Sequence, residues 1–249
     1  MLKQERYDFI LSQLNQNNKV TAATLSEALN LSEATVRRDL TELDALGKLQ
    51  KVHGGALPPV APVFSFRQRE RIHTQAKEKI IQKVLPLLAG VRTIIIDAGT
   101  TNLALVKQLP PDWQATCFTN SPPIAQQLVQ HPDVEVMLTG GTYAEQQEAL
   151  VGPWVLQTLR QVYADVCLLG VCSLHHTYGL TTESSEIAAS KQTMIQQARR
   201  TIALANAEKI DTVDTYLVDT IDRVDTIVTD LPSDDPRWEK YRADLLEIV

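Results

Sequence analysis

No hydrophobic run in the chain approaches the roughly 18 residues that a membrane-spanning helix needs. The opening stretch, MLKQERYDF, is charged and has no apolar segment resembling a secretory leader. A cytoplasmic protein without a membrane partner is the expectation. Cysteine is scarce, at three in 249 residues. Cys117 and Cys167 sit in apolar, strand-like runs and Cys172 leaves the count odd, which fits buried thiols in a reducing compartment better than a disulfide framework. Cys167, Cys172, His175 and His176 gather within ten residues, but their spacing matches no zinc pattern. No metal is expected there, and the two histidines read as a solvated loop before Gly179. The ten glycines form neither Gly-x-Gly-x-x-Gly nor Gly-x-Ser-x-Gly. Those absences argue against a dinucleotide cofactor and a serine nucleophile, and no cofactor is expected. Positive charge is not in excess either: 24 basic residues face 30 acidic ones. Residues 1–60 hold seven of each, so the remainder carries the whole acidic surplus and should repel bare DNA.

What is present is arrangement, first over residues 20–55. Thr21 can cap a helix that places Leu25, Ala28 and Leu29 on one face. Asn30 and Leu31 make a turn. Ser32 can then accept the backbone N–H of Thr35 and open a second helix, with Val36, Leu40, Leu43 and Leu46 on an apolar stripe that ends at Gly47. At 100° per residue the opposite face holds Ala34, Arg37, Arg38 and Thr41, which suits approach to base edges and phosphates. Lys48, Lys51 and His53 follow in a short β-compatible run closed by Gly54-Gly55, the pattern of a wing along a phosphate backbone. A plainer alternative is a solvated helix, since Glu33 lies four residues before Arg37 and Glu42 four after Arg38. A winged helix serving protein contact is a further one.

Residues 57–63, LPPVAPV, hold three prolines and predict an extended connection. From Thr74 a helical pattern runs through Ile80, Ile81, Val84 and Leu88, with Pro86 ending it early. Thr93 to Ile96 then reads as a buried strand ending in Asp97, before a loop, Ala98-Gly99-Thr100-Thr101, that opens a helix through Leu103, Val106 and Leu109. Ala115 to Phe118 repeats the scheme, ending in Thr119-Asn120-Ser121 with Pro122 and Pro123 in the next helix's first turn. Val134 to Leu138 repeats it again, ending in Thr139-Gly140-Gly141. Val166 to Leu169, Ile202 to Leu204 and Thr226 to Val228 read as further buried strands, with a helix over 186–199. The class is α/β, a mostly parallel sheet with helices on its faces.

Ligands of open α/β sheets bind at the carboxyl ends of the strands, where the polar and small residues fall here. Gly99, Thr100 and Thr101 suit a phosphate cradle, Asp97 and Asn120 suit hydroxyls, and Lys191 and Lys209 can add positive charge. Each has a duller reading: a helix cap for the threonines, a tight turn for Gly140-Gly141, a solvated side chain for the lysines.

The order of short motifs resembles the DeoR family of bacterial transcriptional regulators. Leu31-Ser32, Thr35 to Leu40 and His53-Gly54-Gly55-Ala56 carry the resemblance in the first domain. Phe66 with Arg69, Glu78-Lys79, Asp97 to Thr101, Thr119-Asn120-Ser121, Gly140-Gly141 and Gly179 to Thr182 carry it in the second. The resemblance implies a DNA-binding domain over 1–57, a linker over 58–73, and an effector-sensing and oligomerisation domain over 74–249. It implies an effector fold shared with ribose-5-phosphate isomerase and coenzyme A transferases, whose ligands are phosphorylated sugars or related catabolites. Carried over by position, Asp97, Gly99, Thr100, Thr101, Asn120, Gly140, Gly141, Glu186 and Lys191 form the pocket, with Lys209 a further member. Many members have Asp-Gly after the fourth strand where this chain reads Gly170-Val171-Cys172-Ser173, so a carboxylate for a sugar hydroxyl is missing.

The expected function is a transcriptional regulator, most simply a repressor of a carbohydrate catabolic operon. Ser32, Ala34, Thr35, Arg37, Arg38, Thr41, Lys48, Lys51 and His53 would contact double-stranded operator DNA. A homo-oligomer, dimer or tetramer, is expected because one reading helix covers few base pairs. The rival is a sugar-phosphate isomerase or transferase-like enzyme with an accessory domain, in which Asp97 and a lysine would move protons.

Overall fold

The structure is a computed structural model and describes residues 3–17, 19–57, 64–241 and 246–249. It divides into compact units of residues 1–63 and 64–249. The proline-rich stretch read as a connection lies mostly at 58–63, outside the described residues. Among the described residues no helix is long and apolar enough to cross a membrane.

The first unit packs three helices, α1 (Lys3–Asn17), α2 (Ala22–Leu29) and α3 (Glu33–Ala45), with strands β1 (Val20–Thr21), β2 (Gln50–Val52) and β3 (Gly55–Leu57) in the order β1-β3-β2. Thr21 and Thr24 form a reciprocal capping box at the start of α2. Asn30 ends α2 at φ 52°, and the next N–H, of Leu31, turns back to Ser26 O at 3.1 Å. Ser32 then caps α3 by accepting Thr35 N–H. Ile10, Leu14, Leu25, Val36, Leu40, Leu43 and Leu49 close one core. Ala28 and Leu46, placed on the apolar stripes by periodicity, are exposed, Leu46 at 63%. The small core ends before reaching them: Leu46 is already the C-cap of α3, and Gly47 follows at φ 67°.

The second unit opens with α4 (Phe66–Arg71) and α5 (Thr74–Val84), the latter passing into a 3-10 turn at Leu85–Leu88 around Pro86. Then come β4 (Thr93–Ile96), α6 (Thr100–Val106), β5 (Ala115–Thr119), α7 (Pro122–Leu128), β6 (Val134–Leu138), β7 (Thr142–Ala144), β8 (Ala149–Val151), α8 (Pro153–Leu159) and β9 (Ala164–Gly170). β10 (Ser173–His175), β11 (Gly179–Thr182), α9 (Ser185–Gln196), β12 (Ala198–Leu204), β13 (Tyr216–Asp219), β14 (Thr226–Val228) and β15 (Glu247–Ile248) complete it. Seven strands pair in parallel in the order β15-β14-β12-β9-β4-β5-β6. Alternate strand residues feed opposite layers, as the period of a strand requires. Ile94, Ile96 and Leu168 meet side chains of α5, α6 and α7, whereas Ile95, Cys167 and Leu169 meet those of α8 and α9.

Several boundaries differ from the periodic reading. The helix expected over 186–199 stops at Gln196, and Ala198 already pairs with Ala164 in the sheet. β6 is an edge strand, with Met137 and Leu138 exposed. β10, β11 and β13 form a separate antiparallel sheet, and β7 with β8 a hairpin. His175 and His176 are half-buried, their rings stacked at 4.3 Å, instead of lying in a solvated loop.

Candidate DNA-reading face and effector site

α3 has two chemically distinct sides. Two of its carboxylates turn towards α1: Asp39 is buried and takes both Nε and Nη2 of Arg6, at 2.8 and 2.9 Å, while Glu42 accepts from Tyr7 and Lys3. The Lys3 ammonium, then the Tyr7 hydroxyl, hold the Glu42 carboxyl below the usual glutamate range. Both hydrogen bonds of Glu42 thus come from α1. The opposite side carries Ala34, Arg37, Arg38 and Thr41, all exposed. Arg37 pairs with Glu33 at 2.6 Å, with both side chains largely solvated. An exposed pair of this kind contributes only about 0.2–1 kcal/mol, so a phosphate can displace it.

The wing is joined to the same helix. Lys51 N–H donates to Asp44 Oδ1 at 2.8 Å, and Lys51 Nζ donates to Thr41 Oγ1 at 2.6 Å. Thr41 in turn donates to Arg37 O. Lys48 and His53 are exposed in the same hairpin, while Leu49 anchors it in the core. Gly55 is required at the turn into β3, since a Cβ there would collide with Val20 O. Ser32 and Thr35 share a 2.9 Å hydroxyl contact at the start of α3. All nine candidate DNA contacts thus belong to α3, its cap or the hairpin. The partly buried Arg6–Asp39 pair, 33 residues apart, left no local sequence signal.

In the second unit, β4, β5 and β6 follow one another to one side, and β9, β12, β14 and β15 extend the sheet on the other. The switch point lies between β4 and β9, where a crevice is expected in a sheet of this type. Asp97 ends β4 there and accepts Gly170 N–H, from the end of β9, at 3.0 Å. Lys191 of α9 reaches in and donates to Asp97 Oδ2 and, at 2.7 Å, to Gly170 O. Gly170 is tightly enclosed, because a Cβ would lie 3.2 Å from Asp97 Oδ2 and 3.4 Å from Ala98 O. Burial holds the Asp97 carboxyl above the usual aspartate range despite the ammonium beside it. For Lys191, burial works against the charge, but the Asp97 carboxylate outweighs it and lifts the lysine above its usual value.

Asn120, at the end of β5, accepts Ala98 N–H at 3.0 Å and donates to Leu150 O at 3.1 Å. It thereby fixes the loop after β4 against β8. Gly99 precedes α6 and no side-chain cap hydrogen bond covers the first turn at Thr100 and Thr101. Asn102, overlooked in sequence, is fully buried; its Nδ2 ties Asp97 O to Leu168 O, and its Oδ1 has no partner. Its signal was an amide within an otherwise apolar helical face. Thr139 Oγ1, after β6, is likewise buried without a partner.

Other expected members are placed differently. Gly141, at φ 137°, makes a tight approach in which a Cβ would lie 2.6 Å from Val151 O, and Gly140 lies beside Trp154. Glu186 is exposed on the first turn of α9 and lines an open hollow of about 220 Å³ with Gly152, Pro153, Leu156, Ser185 and Ala189. Lys209 ends the 3-10 turn Ala207–Lys209 after β12, two strands from β4, and faces Glu208 at 3.4 Å. The structure therefore brings Asp97, the loop 98–101, Asn120 and Lys191 together, and does not bring Lys209 to them.

Residues 6–59 match the DeoR-like helix-turn-helix domain, and residues 72–231 match the DeoR C terminal sensor domain. The chain is 32% identical over 232 residues to the HTH-type transcriptional regulator GlpR of Haloferax volcanii, covering 92% of this chain and 91% of that protein. It is 31% identical to the HTH-type transcriptional repressor GlcR of Bacillus subtilis, over 92% of this chain and 89% of the relative. Ribose 5 phosphate isomerase A from Neisseria gonorrhoeae superposes at a TM-score of 0.39 and 12% identity, over 54% of this chain and 52% of its own.

Proposed function

The chain belongs to the DeoR family of transcriptional regulators, and we propose that it represses a carbohydrate operon and leaves its operator when a phosphorylated sugar or related metabolite engages the site around Asp97. It is a regulator and not an enzyme. In this reading residues 1–57 read DNA and residues 74–249 sense the effector and hold the oligomer together. The observation that carries the DNA half is the two-sidedness of α3, whose carboxylates Asp39 and Glu42 are taken up by α1 while Arg37, Arg38 and the wing's Lys51 stay on the open side. A single such helix specifies few base pairs, so two copies on half-sites about one helical turn, roughly 34 Å, apart are proposed.

For the effector half, support comes from the switch point. Lys191 supplies a positive charge, the loop at 98–101 supplies N–H donors, and Asn120 and Asp97 supply groups for hydroxyls. A phosphate arriving at this position competes with Asp97 for Lys191, and that competition is the differential interaction a ligand needs to favour one conformation. Moving the DNA-competent population from 99% to 1% requires about 10⁴-fold discrimination, near 5.5 kcal/mol, which copies in an oligomer can share. Repression is favoured because GlcR is named a repressor.

The test is binding of the full chain to fluorescent DNA from upstream of its own and neighbouring genes, followed by addition of phosphorylated sugars. Salt-dependent, sequence-specific binding with release by one class of sugar phosphate is expected. Absence of duplex binding, or release by unphosphorylated sugars alone, overturns the reading.

A further inference from the structure

α4 is the first element of the second unit, and the chain ahead of it leads to the DNA-reading domain. Ser65 and Gln68 cap it reciprocally, and Phe66 is buried in the core beside α5 and α6. Its outer contacts converge on one place. Phe66 N–H donates to Gln146 O at 3.0 Å. Arg69 sends Nη1 to Phe64 O at 2.7 Å and Nη2 to Gln146 O at 3.4 Å. Arg67 pairs with Glu148 at 3.2 Å. Gln146 and Glu148 belong to the turn between β7 and β8, and Glu148 is held at φ 45°, a region that residues other than glycine rarely occupy.

That turn is fastened to the candidate cleft at its other end. Leu150 N–H donates to Asn120 O at 2.7 Å, and Asn120 Nδ2 returns a bond to Leu150 O. Ser121 Oγ also reaches Glu148 O. A second connection runs through α6, whose first turn follows Gly99 and whose C-cap residue, Lys107, pairs with Glu70 of α4 at 2.7 Å. Lys77 of α5 caps the far end of α4 by donating to Arg69 O and Glu70 O. α4 thus touches two elements that each begin or end at the residues around Asp97.

We propose that α4 and the β7–β8 turn form the element that transmits effector occupancy to the DNA-reading domain, with Arg69 as its positioning residue. The proposal rests on the effector reading of the cleft. Occupancy loads Asn120 and the 98–101 loop, shifts the turn and α6, and re-seats α4 with the chain entering it. The strained backbone at Glu148 gives the turn a more relaxed alternative. Arg69 is suited to the task because its planar fork joins Phe64, on the entering chain, to Gln146 in the turn through two separate nitrogens held in a fixed geometry.

Coupling is reciprocal, so it is measurable without any effector. Hydrogen exchange is recorded on the full-length wild type, on Asn120→Ala and on Arg69→Ala. Expected is about tenfold faster exchange of the Phe66 amide in Asn120→Ala and of the Leu150 amide in Arg69→Ala, a typical coupling strength, with amides of β9 and β12 unchanged. No change, or an equal change at all amides, overturns the proposal. Glu148→Gly, which relieves the turn's backbone and also removes its ion pair with Arg67, is compared with Glu148→Gln, which leaves the backbone residue non-glycine; Glu148→Gly should alter Phe66 exchange selectively and beyond any change in Glu148→Gln, and unchanged exchange there counts against the proposal. In parallel, glucose 6-phosphate, fructose 1-phosphate and glycerol 3-phosphate are titrated into operator complexes. Any of them that releases wild type should release Arg69→Ala about tenfold less well at unchanged DNA affinity; equal release overturns the coupling role. Failure of all three on wild type counts against the sugar-phosphate reading, while the exchange result still decides the coupling.

Discussion

The side chains of Lys191 and Asp97, 94 residues apart in the chain, pair where they are only 5% and 3% exposed. Removing one partner of such a pair strands the other charge in the interior, at a cost of about 3–5 kcal/mol, whereas replacing both with neutral groups of similar size is far milder. Lys191→Met is therefore expected to lower the denaturant midpoint of the second unit sharply, and Asp97→Asn with Lys191→Met to recover much of the loss. Urea unfolding of the two single variants and the double variant gives the coupling energy. Additive effects would mean the pair is not the unit the geometry indicates.

The same pair sets an alkaline limit. Burial alone would lower the Lys191 value, but Asp97 raises it above that of an ordinary lysine. A group raised on folding contributes stability that is complete below its unfolded value and is lost as pH climbs through the folded one. Wild type should accordingly lose more stability than the double variant as pH climbs from 9 to beyond 10.5. Denaturant midpoints recorded across that range check the sign.

Parallel strands and the reading helix were legible because their signals are local and redundant. Ile94-Ile95-Ile96 reads as buried on both faces, and Ser32 and Gly47 bracket an amphipathic α3. Polar residues at strand ends exposed Asp97 and Asn120 as site candidates for the same reason. The misses came where tertiary context outweighs the local pattern. Leu46 satisfies the helical period yet projects beyond a core too small to cover it. β7, β8 and β10 are three-residue strands with no clear alternation, defined only by their partners. Asp39 follows two arginines in sequence, but its partner Arg6 comes from another helix.

On the proposed reading face, Glu33 pairs with Arg37 and would compete with a DNA phosphate for it. Arg37→Ala should weaken operator binding by about 1–3 kcal/mol if the guanidinium reads a base, or lower the salt slope by about one if it holds a phosphate. Glu33→Gln should strengthen binding modestly, since it frees Arg37 and removes a negative charge at the interface. Anisotropy titrations at several salt concentrations separate these outcomes. Weaker binding by Glu33→Gln would show that the pair orients Arg37 and does not merely occupy it.

Burial pushes the Cys117 thiol up to about 12, and Cys167 is raised further by complete enclosure. Cys172 is also raised by burial, but it is half-buried just after β9, where its sulfur accepts from the Thr182 hydroxyl at 3.4 Å. Since thiolate fraction and access control reactivity, N-ethylmaleimide at pH 8 should modify Cys172 first and slowly, leaving Cys117 and Cys167 until the unit unfolds. Peptide mass spectrometry over a time course reads the order. Labelling of Cys117 ahead of Cys172 would contradict the described packing of β5.

Asp44 offers a test in which charge and geometry oppose each other. Its carboxylate accepts Lys51 N–H at 2.8 Å and so fastens the wing to the C-terminal half of α3, beside the Thr41–Lys51 contact. By charge alone, Asp44→Ala removes an anion near a polyanionic partner and should tighten binding, most strongly at low salt. By geometry, it frees the wing strand, so Lys48, Lys51 and His53 must be ordered again on each encounter, and binding should weaken at every salt concentration. We predict the geometric outcome: lower affinity for operator DNA with a nearly unchanged salt slope, because the number of phosphates engaged stays the same. Tighter binding of Asp44→Ala would remove the wing from the set of DNA-contacting elements and leave recognition to α3 alone.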